Sequence, residues 1–387
     1  MPTVNFVADN DVRLLHTGAE FFPALVGAID TAQYEIYFET YIFADDVTGR
    51  AVLAALAAAS RRGVQVRMIT DWWGTGRSRI AQMHAQLIEA GVEHRIFNPW
   101  FKRGVTRTHR KLCVVDQSQA FVGGINVVDD LHCDHDGTLS LAAPRWDFAV
   151  QVIGPLVRTI HMEMQSQWLR LGKMGLIKRF ELYRDLRKVQ KQAVQNMVQA
   201  GFVVRDNLRN RRTIQRAYLQ ALGQARHNVL LANPYFAPGA KFRRALAAAA
   251  ERGVQVTLLI GVGEFWLQDA VAHSFYPKLL AAGVTVVEYR KTQLHAKVAV
   301  IDDDWATVGS SNVDGLSLFL NQEANVVIKD AAFASSLRQH IEAAVGEGVV
   351  IHSSDFEHVG RWRRLGYELA YFAYKMIMRI VAVGKYA

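Results

Sequence analysis

Two stretches of this chain carry the same polar residues at the same spacing. They are THRKLCVVDQSQAFVGGIN over residues 108–126 and LHAKVAVIDDDWATVGSSN over residues 294–312. His109 answers His295, Lys111 answers Lys297, Asp116 answers Asp302, Gly123 answers Gly309 and Asn126 answers Asn312, every pair 186 residues apart. Residues two apart in an extended strand share a face. Each imidazole is therefore expected beside an ammonium, with Leu112 and Val114, or Val298 and Val300, turned towards packing. The Gly123–Gly124 and Gly309–Ser310 pairs allow a close backbone approach, and an amide side chain follows at once.

These group types suit a phosphodiester. Lysine can neutralise the non-bridging oxygens and asparagine can donate to them, most strongly as the phosphoryl centre crowds in the transition state. A neutral histidine can attack phosphorus, and a protonated one can give its proton to the leaving alcohol. One copy supplies one histidine, so the chemistry needs two copies facing each other. The histidines need different protonation states, which their surroundings must set. A carboxylate on the far ring nitrogen would orient each imidazole and stabilise its charged form. Asp147 in RWDFAVQVI and Glu323 in NQEANVVI follow their motifs and open similar apolar strands, which makes them the candidates. Asp116 and Asp302 belong to the repeated catalytic pattern, but are expected to hold the loop after the motif strand.

The elements that position these groups are repeated as well. ALAAASRRGVQVRMIT from residue 55 answers ALAAAAERGVQVTLLI from residue 245. The alanine-rich runs are good helix formers, and Gly63 and Gly253 suit helix C-termini. The short β-branched runs after them read as buried strands. Strands alternating with helices imply α/β layers over a largely parallel sheet, and a repeat this long implies two copies of one assembly. The chain divides into a first repeat over 1–167, a basic helical connector over 168–205, a second repeat over 206–346 and a C-terminal segment over 347–387.

The doubled H-x-K-x4-D-x6-G-[GS]-x-N pattern resembles the paired signature of the phospholipase D superfamily. VRDNLRNRRTIQRAYLQAL, LANPYFAPG and FVGGINVVDD narrow the likeness to bacterial cardiolipin synthases, of the short kind without N-terminal membrane-spanning helices. The resemblance runs from about residue 10 to 345. It implies an α/β fold of two tandem repeats, each a mixed sheet flanked by helices, related by pseudo-twofold symmetry and sharing one active site. It also implies a metal-independent, two-step phosphatidyl transfer with His109 as nucleophile and His295 as acid. Lys111 and Lys297 would serve the phosphate, with Asn126, Asn312, Ser310, Glu323 and Asp147 in support. LHCDHDGTLSLAAPR makes the His109 to Asp147 spacing, 38, longer than the 28 from His295 to Glu323. Exchange of one phosphodiester for another is close to balanced in bond energy, so neither cofactor nor nucleotide is expected.

The formal net charge is +9, which predicts an anionic partner. The C-terminal segment RWRRLGYELAYFAYKMIMRIVAVGKYA keeps Glu368, Lys375 and Arg379 within an apolar, aromatic helical pattern. That combination suits a helix lying in the headgroup region better than a span. The expected partners are phospholipid substrates, with phosphatidylglycerol foremost, and an anionic membrane surface; no nucleic acid is expected. The start lacks the pattern of a secretory signal, and Cys113 and Cys133 define no disulfide framework. Peripheral attachment to the cytoplasmic face of a bacterial inner membrane follows. HCDHD at 132–136 matches no closed zinc spacing, and Trp72 and Trp73 are expected to line the cleft or pack on it. The competing readings are a hydrolase or nuclease of the same superfamily, which the basic charge would also fit, and a silent membrane scaffold.

Overall fold

The computed structural model describes residues 4–133, 137–172, 198–357 and 359–381. Two half-sheets of seven strands share one strand order. In the first, the order runs Val7–His16, Phe148–Ile153, Gln119–Gly123, Leu112–Val115, Glu35–Thr40, Gln65–Asp71, Glu93–Phe97. In the second it runs Val198–Arg205, Glu323–Lys329, Trp305–Gly309, Val298–Ile301, Asn228–Asn233, Gln255–Gly261, Thr285–Tyr289, with Val349–Ile351 added at the edge. The first strands of the halves pair antiparallel, Val7 opposite Ala200 and Asn10 opposite Val198, which joins fifteen strands.

The sheet is mixed and not largely parallel. Parallel pairing is confined to the three strands linked by helical crossovers in each half. The motif strands pair antiparallel on both sides. Only a tight turn, Asp116–Ser118 or Asp302–Asp304, separates each motif strand from the next, and a turn that short permits only a hairpin.

Both glycines expected to close helices do so in one geometry. Gly63 (φ 91°) follows helix Val47–Arg61, where Val64 N donates to Ala59 O at 3.1 Å and Gly63 N to Ser60 O at 2.9 Å. Gly253 (φ 88°) follows helix Ala240–Glu251 with Val254 N on Ala249 O at 3.1 Å and Gly253 N on Ala250 O at 2.8 Å. This is the Schellman pairing, which a left-handed residue makes possible.

Three hydrophobic clusters follow from the two half-sheets. Helices Thr17–Thr31, Val47–Arg61 and Arg77–Glu89 cover the outer face of the first. Helices Thr213–Gln224 and Ala240–Glu251 cover the outer face of the second. The middle cluster combines inner-face residues of both halves, among them Leu112, Val122 and Val150 with Val298, Val308 and Val326. The half-sheets thus press against each other through a shared core. Strand Val198–Arg205 opens the second half, so the connector expected over 168–205 ends before it; residues 173–197 lie outside the described part.

Candidate active site

In each half the three parallel strands end at one edge, and the motif strand starts there. Glu39 lies opposite Leu112 and Ala232 opposite Val298, both in antiparallel register. His109–Lys111 and His295–Lys297 stand just ahead of their strands instead of within them. Their backbone is committed across the junction. Gln322 N donates to Arg107 O at 2.8 Å and His109 N to Gln322 O at 2.9 Å; Trp146 N donates to Gln293 O and His295 N to Trp146 O, both at 2.9 Å. Each motif is therefore tied to the strand entry of the opposite half.

That entry carries the carboxylate, so the pairs are crossed. His109 Nδ1 lies 3.1 Å from Glu323 Oε2 and 3.0 Å from the Ser310 carbonyl. Both are acceptors, which places the proton on Nδ1 and leaves the lone pair on Nε2. Ser310 Oγ donates to Glu323 Oε2 at 2.5 Å and accepts from Ala324 N at 3.0 Å. His295 Nδ1 lies 2.6 Å from Asp147 Oδ2, while Phe148 N donates to Asp147 Oδ1 at 2.8 Å. Lys111 Nζ donates to the carbonyl of His109 at 2.8 Å, and Lys297 Nζ to that of His295, so each ammonium is held beside its own imidazole. Asn126 and Asn312 are buried in the loops that follow Gly124 and Ser310.

The environment separates charge states. Burial pushes the His109 pKa down to about 4, Lys111 and Lys297 push the same way, and Glu323 opposes them. Burial alone would raise the carboxyl of Asp147, yet His295 and Lys297 hold it below the ordinary range. The Glu323 carboxyl is likewise lowered against its burial, by His109 and Lys111. His109 is thus neutral, and able to attack, at any pH above about 4. The acid limb of kcat/KM is expected near pH 4 instead of near the free-imidazole value of about 6.5. Glu323→Gln, which removes the charge that raises this pKa, should move the limb lower still; a limb fixed near 6.5 in both proteins would contradict the assignment. Stability shifts in the same sense. The unfolded chain protonates His109 first, so stability is lost as pH falls from about 6.5 towards 4.

Asp116 and Asp302 sit at the other end of the motif strands. Asp116 accepts from the backbone N–H groups of Gln33, Tyr34 and Glu35 at 2.7–2.9 Å. Asp302 accepts from those of Arg226, His227 and Asn228 at 2.8–3.2 Å. Both adopt positive φ, 50° and 49°. They hold the loop to the neighbouring strand and do not reach the histidines. In the HCDHD cluster, His132 pairs with Asp129 at 2.9 Å, Cys133 is buried, and residues 134–136 lie outside the described part.

Three further residues shape the site. The Tyr41 ring stands edge-on to His109 with centroids 4.8 Å apart, and Lys111 Nζ lies 5.2 Å from its centre. Asp71, buried, accepts from Thr108 N at 2.8 Å and from Trp73 N and Gly74 N at 2.9 and 3.0 Å. Arg110, next to His109, makes a buried fork on Glu39 and reaches Glu163 at 2.9 Å. Tyr41 had a sequence signal, an aromatic following a strand end. Asp71 had none, because the second repeat carries Gly261 at the matching position.

Comparison with known proteins places this geometry in context. The family described as cardiolipin synthase, PLD-like domain, matches residues 25–133 and 218–345, one segment per half. Cardiolipin synthase B of Escherichia coli is 38% identical over 343 residues, covering 87% of this chain and 80% of that protein. A probable cardiolipin synthase of Bacillus subtilis is 29% identical, covering 93% and 70%. The crystal structure of phosphatidylserine synthase from Haemophilus influenzae superposes with a TM-score of 0.70 over 98% of this chain and 97% of that one, at 14% identity. That last likeness is one of fold.

Proposed function

Since the chain belongs to the cardiolipin synthase family of phospholipase D-like phosphatidyltransferases, we propose that it makes cardiolipin by moving a phosphatidyl group from one phosphatidylglycerol to the headgroup hydroxyl of a second phospholipid. The crossed histidine–carboxylate pairs carry this reading. In the first step His109 Nε2 attacks phosphorus and the P–O bond to glycerol breaks. His295, charged and held by Asp147, gives its Nε2 proton to the departing glycerol oxygen. In the second step the acceptor hydroxyl attacks the phosphohistidine, passes its proton back to His295 and releases His109. Lys111, Lys297, Asn126 and Asn312 face the phosphoryl oxygens, and no charge is left over at the end of the cycle.

Glu323 and Ser310 serve the nucleophile. Two acceptors on Nδ1–H keep Nε2 bare for attack and stabilise the ring as its charge rises in the phosphohistidine. Asp147 serves the acid–base, because an ionised carboxylate at 2.6 Å favours the imidazolium that must donate. This division of labour supports His109 as the nucleophile.

The helix Arg361–Val381 supports a peripheral position on an anionic membrane. Tyr367, Ala370, Tyr371, Tyr374 and Met378 pack on the second half. Leu365, Leu369, Phe372, Met376 and Ile380 form an outward apolar stripe, with Trp362 87% exposed at its start. Glu368, Lys375 and Arg379 are exposed between the two faces. Among the described residues no helix is long and apolar enough to cross a membrane, and a helix that leaves such a stripe open suits the interface. The side chains of Arg361, Arg363 and Arg364, and residues 382–387, lie outside the described part.

The decisive assay mixes purified protein with phosphatidylglycerol vesicles, without nucleotide or added metal, and resolves the products by mass spectrometry. Cardiolipin with an equal amount of free glycerol is the expected result. Phosphatidic acid alone would mean that water takes the phosphoryl group and that the protein is a phospholipase.

A further inference from the structure

The first half bears an aromatic cluster that the transfer chemistry does not use. Trp72 and Trp73 follow strand Gln65–Asp71, and Trp100 and Phe101 follow strand Glu93–Phe97. The Trp72 ring lies 5.3 Å from Trp100 and 5.1 Å from Phe101, and Trp73 lies 5.3 Å from Phe101. Instead of closing into a core, the cluster faces outward, with Trp73 52% and Trp100 58% exposed. Two cations back it. The guanidinium of Arg77 lies 4.4 Å from the Trp100 ring centre, and that of Arg107 lies 5.0 Å from the Trp73 ring centre.

The fold holds these rings out at a cost. Asn98, Trp100 and Phe101 all take positive φ, at 52°, 56° and 53°, a region that bulky side chains avoid. The Asn98 amide pins the loop by donating to the carbonyls of Gly104 and Thr106, each at 2.7 Å. Asp71 fixes the other loop and, through Thr108, the residue before the nucleophile. Gly74 permits that loop to close on Tyr41, since a Cβ there would meet the Tyr41 ring at 2.5 Å. Arg107 also donates to Tyr41 Oη at 3.1 Å. The exposed rings are thus joined through Arg107 and Asp71 to Tyr41 and Thr108, which flank His109.

Both loops leave the strand ends at which the motif starts. The C-terminal helix stands at the corresponding end of the second half: its Tyr374 Oη accepts from Gly315 N at 2.8 Å, three residues after Asn312. It also packs on helix Trp266–His273, which follows Gln255–Gly261. Aromatic rings with adjoining arginines match the headgroup level of a bilayer, and the positive balance of the chain matches its anionic lipids. We infer that the Trp72–Trp73 and Trp100–Phe101 loops form a second membrane contact, seating their rings in the headgroup region of an anionic phospholipid bilayer beside His109. This rests on the lipid reading above and adds to it. The protein docks on two legs, one from each half, with the shared site between them.

The test compares the full chain with its Trp73→Ser/Trp100→Ser variant by sedimentation with vesicles of phosphatidylglycerol and phosphatidylcholine. Tryptophan quenching by phosphatidylcholine with brominated chains is read alongside. The variant should bind tenfold or more weakly and lose part of the quenching. Equal affinity, or quenching as strong as in the parent, would overturn the inference. Should the double variant fail to fold, Trp73→Phe/Trp100→Phe replaces it, and must keep the affinity while losing the same share of the quenching. Binding is read without turnover, so the two readings fail separately. Docking through these rings with no lipid product sinks the synthase reading alone, whereas cardiolipin synthesis with unaltered docking sinks this one.

Discussion

His109→Ala is expected to abolish cardiolipin formation and to trap no phosphoenzyme, whereas His295→Ala accumulates one when the donor carries a self-departing group. The argument turns on which step needs a proton. Glycerol is a poor leaving group and departs only if His295 protonates it, so both variants fail on phosphatidylglycerol. Losing the nucleophile should cost roughly 10⁴-fold or more, and losing the general acid roughly 10²–10⁴-fold. A nitrophenyl ester of phosphatidic acid leaves without a proton. With that donor the His295→Ala enzyme can still form the bond to His109 Nε2, but lacks the base that activates the acceptor hydroxyl. The adduct should then appear as a mass increase equal to the phosphatidyl group, and peptide mapping should locate it on His109. An adduct on His295 in the His109→Ala protein would reverse the roles, and the lowered pKa of His109 would then need another purpose.

The crossed pairing explains what could and could not be read in advance. The repeat, the helix-closing glycines and the polar motif were all legible, since each is local: a spacing, a left-handed turn, an alternation. Asp147 and Glu323 were legible as candidates because each opens an apolar strand after its motif. The crossing itself has no one-dimensional trace. Along the chain Asp147 follows His109 and Glu323 follows His295. Only the packing of the two half-sheets through their common core puts Glu323 on His109 and Asp147 on His295. The expected strand conformation of His109 and Lys111 failed for the same reason, because the backbone there serves the opposite half. The largely parallel sheet failed differently: helical crossovers drew attention from the three-residue turns after each motif strand, which already demanded hairpins. Asp71 and the exposed rings lie where the two repeats diverge, so self-similarity was blind to them.

The largest effect that self-similarity would mispredict is at Gly124. Its counterpart is Ser310, so Gly124→Ser looks like a harmless copy from one half to the other. The structure gives the opposite expectation. A Cβ at Gly124 would stand 2.3 Å from Asp147 Oδ1 and 2.9 Å from its carboxyl carbon, far inside any tolerable contact. The clash falls on a buried carboxylate with no room to swing, since Oδ2 is on His295 and Oδ1 accepts from Phe148 N. In the other half the hydroxyl of Ser310 bonds the carboxylate instead of colliding with it, because glutamate is one methylene longer than aspartate. Glycine with aspartate and serine with glutamate are therefore matched sets. Gly124→Ser should push Asp147 off the imidazole and cut kcat roughly 10²–10⁴-fold, with a smaller change in KM. Ser310→Gly removes one hydrogen bond to a charged group and should cost about tenfold. Converting the whole set, Gly124→Ser with Asp147→Glu, should recover at least tenfold over Gly124→Ser alone, because the added methylene restores the reach. Wild-type kcat in Gly124→Ser would mean that Asp147 can leave His295 without consequence, and its part in the proton transfer would have to be given up.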